Sequence, residues 1–448
     1  MKKTNRLNEL FKNKKQLNVS GSYLLYTQMQ KQSLCAQITL TEKVDVDLLQ
    51  KAVDRTQKRM PYLGDVLTLD KGKFYYTENT LPFVVTEFRE GENVLRPTGC
   101  EENNFHLIDC VCQGNDIWVS MNHYLCDGLG SNLFIEATLL NYFSLKDGVE
   151  YEVDGVRFPG SPILPGEEED QYDETYEVSP DYKPLGVSAI QDASKVMLPE
   201  IVDCDRDPAK DGYLFTELVL DEKEFVSFCK ERSSSPAATL ATFLSEVIIG
   251  VHPELFTIDN PVIGLIPISS RRFLGKDNTF KNTSTSVLIP FKKDNSKSFA
   301  EKCADARLKL KSGINPNRIR FETNAAKRME RLLATSDDYE TIRNMFRKVP
   351  NYSVGTFTID YVGGLRLGDT YRDRIDSFRY LCVMGNLDMF VSTNGGKFII
   401  TLGRCFSSDV YDRELEKKLK EQGLSVRSYA LEPFKPPVTK LFDELGIE

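Results

Sequence analysis

One short segment of the chain combines residue types that could carry proton chemistry. Residues 122–128 read Asn-His-Tyr-Leu-Cys-Asp-Gly. The alternating residues 117–121 just before them predict a β-strand that places His123 at its end. Side chains beyond strand ends are well placed to project into a cleft. Because imidazole titrates near neutral pH, we predict that His123 is catalytic, taking a proton from a substrate and returning it.

Asp127 and Gly128 follow His123 and are predicted to support it rather than to react. A buried carboxylate needs a cationic partner, and Arg271 and Arg272, which follow the apolar residues 262–268, are the candidates. Gly128 is expected to adopt a backbone angle that other residues avoid. We therefore interpret these four residues as structural support of the site.

The remaining nucleophilic or titratable residues near the motif are interpreted as structural. Cys126 adjoins His123 in sequence, but a Cys–His pair needs contact in space, so Cys126 is interpreted as small buried filler. His106 is placed on the preceding strand and His252 at a loop or helix end before Pro253. Neither histidine is expected to take part in chemistry.

The composition is that of a folded chain and excludes several classes of function. The 448 residues are 41% hydrophobic and 27% charged, which excludes wholesale disorder. The 57 Lys and Arg against 66 Asp and Glu give a net charge of −9, opposite to the usual nucleic-acid-binding protein. No stretch approaches the roughly 18–20 apolar residues that span a bilayer. No secretory signal is expected at the N-terminus.

The ten cysteines and three histidines show no metal-ligand spacing. No Cys-x-x-Cys pair is present, so no metal site is predicted. A chain of this length without a secretory signal is expected to keep its thiols reduced, in the cytoplasm. Gly-x-Gly-x-x-Gly and Walker A sequences are also absent, which argues against a nucleotide cofactor of those types.

Predicted strands and helices alternate irregularly along the chain. Hairpins are predicted for 105–112 with 117–121, and for 389–393 with 397–402. Helices are predicted at 46–60, 129–143, 221–230, 237–250 and 410–422, and a long helical region at 298–335. Further strands are predicted at 33–40, 73–76, 83–88, 213–220, 261–268, 285–291, 355–361 and 381–383. This mixture favours an α/β class, an α+β sandwich in two similar halves.

Residues 145–210 differ from the rest of the chain and are predicted to cross between the two halves. They contain seven prolines and an acidic run at 167–170, which we interpret as a solvated loop. The predicted domains are an N-terminal lobe at 1–180, which carries the His123 motif, and a C-terminal lobe at 181–448.

The motif and three other segments together resemble a known family. His-x-x-x-Asp-Gly at 123–128 is similar to the signature of the chloramphenicol acetyltransferase-like superfamily. That superfamily includes plant BAHD acyltransferases, peptide-synthetase condensation domains, polyketide-associated acyltransferases and microbial alcohol acetyltransferases. Residues 46–63, 267–274 and 357–363 resemble further segments of its pattern, in the expected order. The chain is most similar to the bacterial alcohol acetyltransferase and polyketide-associated members.

The sequence departs from the pattern of that family at three places. Asn122 stands where many members have the first of two histidines. Asp360 and Tyr361 stand where the family often has Ser-Asn, in the region expected to contact the oxyanion or the acceptor. The Asp-Phe-Gly-Trp-Gly motif of plant members has no clear copy here, which disfavours the plant subgroup.

The resemblance implies a fold and a reaction. It implies two lobes with mixed sheets, a tunnel between them and His123 near its middle. An acyl group would pass directly from a thioester to a hydroxyl or amine of a small acceptor, with His123 as general base. Acyl-CoA or a phosphopantetheine thioester would be the co-substrate, with no metal and no tightly bound cofactor. Oxyanion or substrate contacts are expected from Asn122, Thr283, Ser284, Thr285, Asp360 and Tyr361.

Other functions remain open at this stage. The main alternative is a non-catalytic or carrier-binding protein of the condensation type, and a thioester hydrolase is a third. We expect a monomer, with an acyl-carrier protein acting in trans as the alternative donor. A carrier docks through acidic residues, so basic residues would receive it, and the weak candidates are Arg366, Arg372, Arg374 and Arg379.

Overall fold

The fold is described from a computed structural model. It describes residues 5–12, 16–18, 22–28, 31–88, 95–184, 205–349, 355–383 and 387–447. Part of the predicted crossover, residues 185–204, therefore lies outside the described residues.

Fifteen strands in the described part of the chain form three sheets. The strands are β1 Gln16–Asn18, β2 Ser33–Leu40, β3 Val66–Asp70, β4 Lys73–Thr77, β5 Thr86–Glu87, β6 Ile108–Gln113, β7 Asp116–Asn122, β8 Leu214–Asp221, β9 Val262–Ser269, β10 Ser284–Phe291, β11 Phe357–Gly363, β12 Ile375–Tyr380, β13 Leu387–Asn394, β14 Lys397–Arg404 and β15 Arg427–Ala430. A five-stranded sheet has the order β12-β2-β7-β6-β5, and a seven-stranded sheet has the order β10-β9-β11-β13-β14-β8-β15. The small third sheet has the order β1-β4-β3.

Helices flank these sheets. The α-helices are α1 Arg6–Phe11, α2 Tyr23–Thr27, α3 Val46–Arg59, α4 Gly128–Asp147, α5 Pro208–Asp211, α6 Glu222–Glu231, α7 Pro236–Val251, α8 Arg271–Leu274, α9 Phe299–Gly313, α10 Pro316–Leu333, α11 Tyr339–Phe346, α12 Val410–Glu421 and α13 Leu441–Glu444. Short 3₁₀ helices lie at Pro61–Gly64, Glu101–Asn103 and Asp369–Arg374. The mixed α/β class predicted from the sequence is thus confirmed.

Most predicted elements are present, and the differences have local causes. The predicted helical region at 298–335 is two helices, because Asn315 caps the start of α10 and Pro316 occupies its first position. The prediction of a strand at 381–383 is wrong. The strand in this region is β12, which begins six residues earlier and ends at Tyr380. The apolar residues Leu381 and Val383 are buried, but only Leu381 continues toward β2, through its N–H to the Cys35 carbonyl at 2.8 Å.

Two large apolar cores lie against the two main sheets. The first core includes Ile38, Val119 and Phe134, and the second includes Leu244 and Val391. Strand β12 comes late in the chain, yet it pairs with β2 in the first sheet. The division of the chain at residue 180 stays a prediction. The pairing of β12 with β2 shows that the first core draws on both the early and the late parts of the chain.

The acidic run in the crossover is not the solvated loop that we expected. Glu167 is buried, and its carboxylate accepts two hydrogen bonds from the Arg59 guanidinium, at 2.8 and 3.1 Å, and one from Tyr62. Asp170 is also buried, whereas Glu168 between them is exposed. Sequence reasoning missed this because the partners of Glu167 lie about a hundred residues earlier in the chain.

Among the described helices, no single one has the length and apolar character to cross a bilayer. One pair, α6 with α7, passes a test of length and composition only when taken together across a bend of 80°.

Candidate active site

Strand β7 carries the motif to the middle of the first sheet. It lies between β2 and β6, and its last residue, Asn122, pairs with Ser33. His123 follows directly, and the residue is half-buried. The fold therefore places His123 at the end of the central strand of the first sheet.

Asp127 begins the next helix and is fully engaged there. Its carboxylate accepts the Gly130 N–H at 2.9 Å, which caps the N-terminus of α4. Both oxygens also accept from Arg271, each at 2.8 Å, and one accepts the Thr283 N–H at 3.0 Å. The Asp127 carboxylate thus accepts four hydrogen bonds, and its role as support of the site stays a prediction.

Arg271 ties the motif to the second sheet. It follows β9, is buried, and forms the pair with Asp127 that the sequence allowed for either arginine. Its guanidinium also donates to the carbonyls of Thr279 at 2.9 Å and Lys281 at 2.7 Å. Arg272 is exposed and does not share this position. A charge pair with this many hydrogen bonds fixes the loop at 276–283 against the start of α4.

The glycine that the site requires is Gly130 rather than Gly128. A Cβ on Gly130 would lie 2.0 Å from the Phe280 carbonyl oxygen and 2.7 Å from the Cys126 Cβ. A Cβ on Gly128 would meet no atom within 4 Å, and the φ of Gly128 is not in the left-handed region. The prediction that Gly128 needs a special backbone angle is therefore wrong, because it occupies the ordinary first turn of α4.

Asn282 reaches the catalytic candidate and was missed by the sequence analysis. Its Nδ2 lies 3.2 Å from His123 Nδ1. Its Oδ1 accepts from Ser284, from the backbone N–H at 2.9 Å and from the hydroxyl at 2.6 Å. Because the backbone N–H can only donate, the amide nitrogen must be the end that faces the ring. The only signal in the sequence was its place next to Thr283.

The protonation of His123 is set by competing neighbours. Burial lowers the pKa of its imidazole below the ordinary value, against the charge of Asp127 and the carbonyls of His123 and Cys126, which raise it. The amide nitrogen of Asn282 favours an unprotonated Nδ1. The net result is a ring that is neutral at neutral pH and has carbonyl partners when it gains a proton.

Two buried polar atoms beside the motif have no hydrogen-bond partner among the described residues. They are Asn122 Nδ2 and Thr283 Oγ1, and both residues are fully buried. The other end of the Asn122 amide accepts the Tyr124 N–H at 3.0 Å, which fixes its orientation. An unmade hydrogen bond of this kind costs about 1–3 kcal/mol, so such groups usually have a ligand or water partner.

The other residues predicted to contact the oxyanion or the substrate lie in different parts of the structure. Ser284 is exposed and holds Asn282, as described above. Thr285 lies within β10, opposite Ile268 of β9. Tyr361 is on the face of β11 that carries the second core, with its ring centroid 6.2 Å from that of Phe398. Because successive strand residues point to opposite faces, Asp360 and Tyr361 cannot both face the first lobe.

Asp360 is the member of that pair that faces the first lobe. It lies opposite Phe390 of β13, a residue of the first core. Burial, together with the charges of Asp127 and Asp388, raises the pKa of its carboxyl to about 7. Asp127 acts on the pKa of His123 as well, so Asp360 and His123 lie around the same aspartate.

The residues given structural interpretations occupy structural positions. Cys126 is fully buried. The ring nitrogens of His106 lie 3.1 and 3.0 Å from the carbonyls of Gly64 and Leu81, and burial lowers the pKa of His106 to about 4. His252 pairs with the Tyr411 hydroxyl at 2.7 Å.

Three of the four basic residues considered for carrier docking form ion pairs within the described structure. Arg366 pairs with buried Glu136, and Arg374 and Arg379 pair with Asp147 and Glu217. The side chain of Arg372 lies outside the described residues. The described part of the chain also contains no group of three or more His, Cys, Asp or Glu that could hold a metal ion.

Comparisons with known proteins find similarity in structure alone. No protein-family model matches the chain, and no curated protein matches its sequence. Polyketide synthase associated protein 5 from Mycobacterium tuberculosis is similar with a TM-score of 0.57 at 14% identity, over 90% of this chain and 96% of that one. TRI101 from F. graminearum, solved with ethyl coenzyme A, gives a TM-score of 0.58 at 12% identity over 93% and 99%.

A peptide-synthetase enzyme shares the same architecture. VibH, a nonribosomal peptide synthetase condensation enzyme, gives a TM-score of 0.54 at 11% identity, over 89% of this chain and 93% of that one. At these identities the likeness concerns the fold. The chain shares the two-lobed α/β fold of these three structures, which is the fold that the motif set predicted.

Proposed function

We propose that this protein is an acyltransferase that moves an acyl group from a thioester directly to a hydroxyl or amine of a small acceptor. The observation that carries the proposal is the half-buried imidazole of His123, whose pKa is lowered by burial and whose motif is clamped by the Asp127–Arg271 pair. A neutral imidazole within reach of a small molecule is the form that a general base requires. The shared fold with acetyltransferases and condensation enzymes supports the same reading.

The proposed reaction needs one base and no covalent enzyme intermediate. His123 takes the proton of the acceptor hydroxyl or amine. At the same time, the oxygen or nitrogen of the acceptor attacks the thioester carbonyl carbon. The carbon–sulfur bond then breaks, and the imidazolium returns the proton to the leaving thiolate. General base catalysis of this kind contributes about 10²–10⁴-fold in rate, and the rest must come from positioning and oxyanion stabilisation.

Asn122 and Thr283 are the proposed oxyanion donors. Each has a buried polar atom without a described partner. Asn122 directly precedes His123, and the Thr283 N–H donates to Asp127. A donor already fixed in position stabilises developing charge without reorganisation. Asn122, which departs from the two-histidine pattern, would thus remain compatible with activity. Ser284 would act through Asn282 and not on the substrate.

The proposed co-substrate is acyl-CoA or a phosphopantetheine thioester, with no tightly bound cofactor. TRI101 has been solved with coenzyme A and VibH is a condensation enzyme, so both kinds of donor fit the fold. Because the four Arg candidates for docking are paired or undescribed, a carrier in trans has no particular support here. His123 and Arg271 come from one chain, which is consistent with a monomer, proposed to act in the cytoplasm in secondary metabolism.

Thiol release tests the proposal. Purified protein is incubated with a panel of acyl-CoA donors and small alcohol or amine acceptors, and free thiol and products are measured by a thiol reagent and mass spectrometry. We expect acceptor-dependent thiol release that falls at least about 10²-fold in His123→Ala. His252→Ala, at a half-buried histidine outside the site, is the matched control and should retain the activity.

Each other outcome identifies a different function. Thiol release without an acceptor, still dependent on His123, would indicate a thioester hydrolase. No thiol release with any donor, combined with tight ligand binding, would contradict catalysis and leave the non-catalytic, carrier-binding alternative. Equal rates in wild type and His123→Ala would exclude this histidine as the base.

A further inference from the structure

The side-chain amide of Asn282 is fixed at both ends, between His123 and Ser284. Its Oδ1 accepts the Ser284 backbone N–H at 2.9 Å and the Ser284 hydroxyl at 2.6 Å. Its Nδ2 lies 3.2 Å from Nδ1 of His123. Exchanging the two ends of the amide would place its NH₂ group against the Ser284 N–H, and two donors cannot bond to each other. The amide therefore presents a donor to the ring.

The backbone around Asn282 is anchored as well. The Asn282 carbonyl accepts from Gln171 Nε2 at 3.2 Å. On one side the Lys281 carbonyl accepts from Arg271 at 2.7 Å, and on the other the Thr283 N–H donates to Asp127 at 3.0 Å. A side chain held by such supporting bonds keeps its partner in a defined geometry. Asn282 thus meets His123 from a fixed position.

This contact determines the tautomer of the neutral imidazole. A neutral ring carries hydrogen on one nitrogen and a lone pair on the other. Because Nδ1 faces an N–H donor, the lone pair lies on Nδ1 and the hydrogen on Nε2. No other described side chain forms a hydrogen bond with the ring. Asn282 is therefore the side chain that distinguishes the two ring nitrogens.

The position of the lone pair decides where a proton can be taken. A general base accepts a proton at an unprotonated nitrogen within hydrogen-bond reach of the donor. In this tautomer that nitrogen is Nδ1, whereas Nε2 would first have to lose its hydrogen. The Asn282 amide occupies the lone pair of Nδ1, so an acceptor hydroxyl or amine must take the place of the amide. The exchange replaces one donor at Nδ1 by another.

Resting on the proposed function, we infer that Asn282 is a positioning residue that keeps the lone pair of His123 on Nδ1, and that Nδ1 takes the acceptor proton once the acceptor replaces the amide there. The acceptor oxygen or nitrogen bonds to the thioester carbonyl carbon, and the carbon–sulfur bond breaks. The proton passes from Nδ1 to the leaving thiolate sulfur. Nε2 keeps its hydrogen throughout, and Asn282 exchanges no proton.

Asn282→Asp tests this assignment, because it reverses the tautomer at almost constant size. One carboxylate oxygen can still accept from Ser284, while the other accepts from Nδ1 and so moves the hydrogen there. A histidine base held in the wrong tautomer loses orders of magnitude in rate. At pH 9, where the ring is largely neutral even beside a carboxylate, we expect kcat/KM for thiol release to fall at least about tenfold. Asn295→Asp, at an exposed position after β10, is the matched control and should keep the rate.

Nitrogen-15 NMR measures the tautomer without any turnover. The chain has three histidines, so labelled imidazoles give three pairs of ring nitrogens, and the pair lost in His123→Ala belongs to residue 123. At pH 9 we expect Nδ1 of wild-type His123 in the shift range of an unprotonated ring nitrogen and Nε2 in the protonated range. The two should exchange in Asn282→Asp and stay in place in Asn295→Asp. Unchanged signals of His106 and His252 show that each variant is folded.

Asn282→Ala separates positioning from substrate binding. Alanine leaves neither donor nor acceptor beside Nδ1, so both neutral tautomers form and about half of the rings keep the lone pair on Nδ1. The KM for the acceptor should then rise by no more than about twofold, since apparent affinity scales with the competent fraction. A rise of about tenfold or more would make the amide a substrate contact and overturn its positioning role.

The outcomes separate this inference from the proposed function. Wild-type His123 with its hydrogen on Nδ1 would overturn the inference whatever the activity. A reversed tautomer in Asn282→Asp with undiminished thiol release would exclude Nδ1 as the base and leave the acyltransferase standing. The expected NMR shifts without thiol release from wild type would support the part of Asn282 in setting the tautomer while the acyltransferase fails.

Discussion

At the scale of single residues, the site combines one histidine with surroundings that keep its imidazole uncharged at neutral pH. Burial lowers the pKa of His123, while Asp127, which could have raised it strongly, is occupied by Arg271. Asn282 contributes the only side-chain hydrogen bond described for the ring. The residue that we propose as the base is thus held by neighbours that we propose take no part in proton transfer.

The acid limb of the pH profile should report His123. A neutral imidazole is required, so kcat/KM falls as the pH drops through its pKa, which lies below the ordinary value near 6.5. With a neutral acceptor such as 1-heptanol, the profile should be half-maximal below about pH 6.5 and level off above it. A midpoint above 7 would show that the ring is held protonated and would contradict this account.

At the scale of elements, the first turn of α4 has to lie unusually close to the loop at 276–283. Asp127 caps the helix and binds Arg271, and these contacts bring the Phe280 carbonyl against Gly130. Because the helix cap and the ion pair hold α4 and the loop this close together, there is no room for a side chain at position 130. The glycine is therefore a packing requirement and not a conformational one.

A pair of alanine substitutions separates these two roles of glycine. Gly130→Ala places a methyl group 2.0 Å from a carbonyl oxygen and should destabilise the protein by about 1–3 kcal/mol, with loss of thiol-release activity. Gly128→Ala enters open space in the first turn of a helix and should change the stability by less than about 1 kcal/mol. Urea unfolding of both variants measures the difference, and equal effects would contradict the packing account.

At the scale of the whole molecule, the crossover holds the two lobes together near the site. Glu167 lies between Arg59 and Tyr62 of the first lobe, and its backbone carbonyl accepts the Phe280 N–H at 3.1 Å. A further contact between the crossover and this loop runs from Gln171 Nε2 to the Asn282 carbonyl at 3.2 Å. The crossover thus positions the loop that faces His123.

Loss of the Glu167 charge should disturb both stability and the site. Glu167→Gln leaves Arg59 buried without its carboxylate, which costs about 3–5 kcal/mol. Because the same segment holds the loop of Asn282, kcat should fall as well. The neighbouring Glu168→Gln, at an exposed residue, is the control and should change neither. Urea unfolding and thiol release measure both, and equal stability of the two variants would rule out the buried pair as an anchor.

The sequence by itself determined the fold class, most of the helices and strands, and the position of His123 at the end of a strand. These follow from local patterns: alternation in β7, helical spacing of apolar residues after Asp127, and the turns around residues 114–115 and 395–396. The resemblance of the motif set to one superfamily then selected the architecture. Local patterns suffice because hydrophobic periodicity and helix caps act within a few residues.

Only the tertiary structure decided which residues surround that histidine. Arg271 and not Arg272 meets Asp127, Asn282 reaches the ring, Gly130 rather than Gly128 requires the absence of a side chain, and Asp360 rather than Tyr361 faces the first lobe. Each of these depends on contacts between segments more than a hundred residues apart, or on which face of a strand is covered. Such contacts produce no periodic pattern in the sequence. They can therefore be identified only in the folded structure.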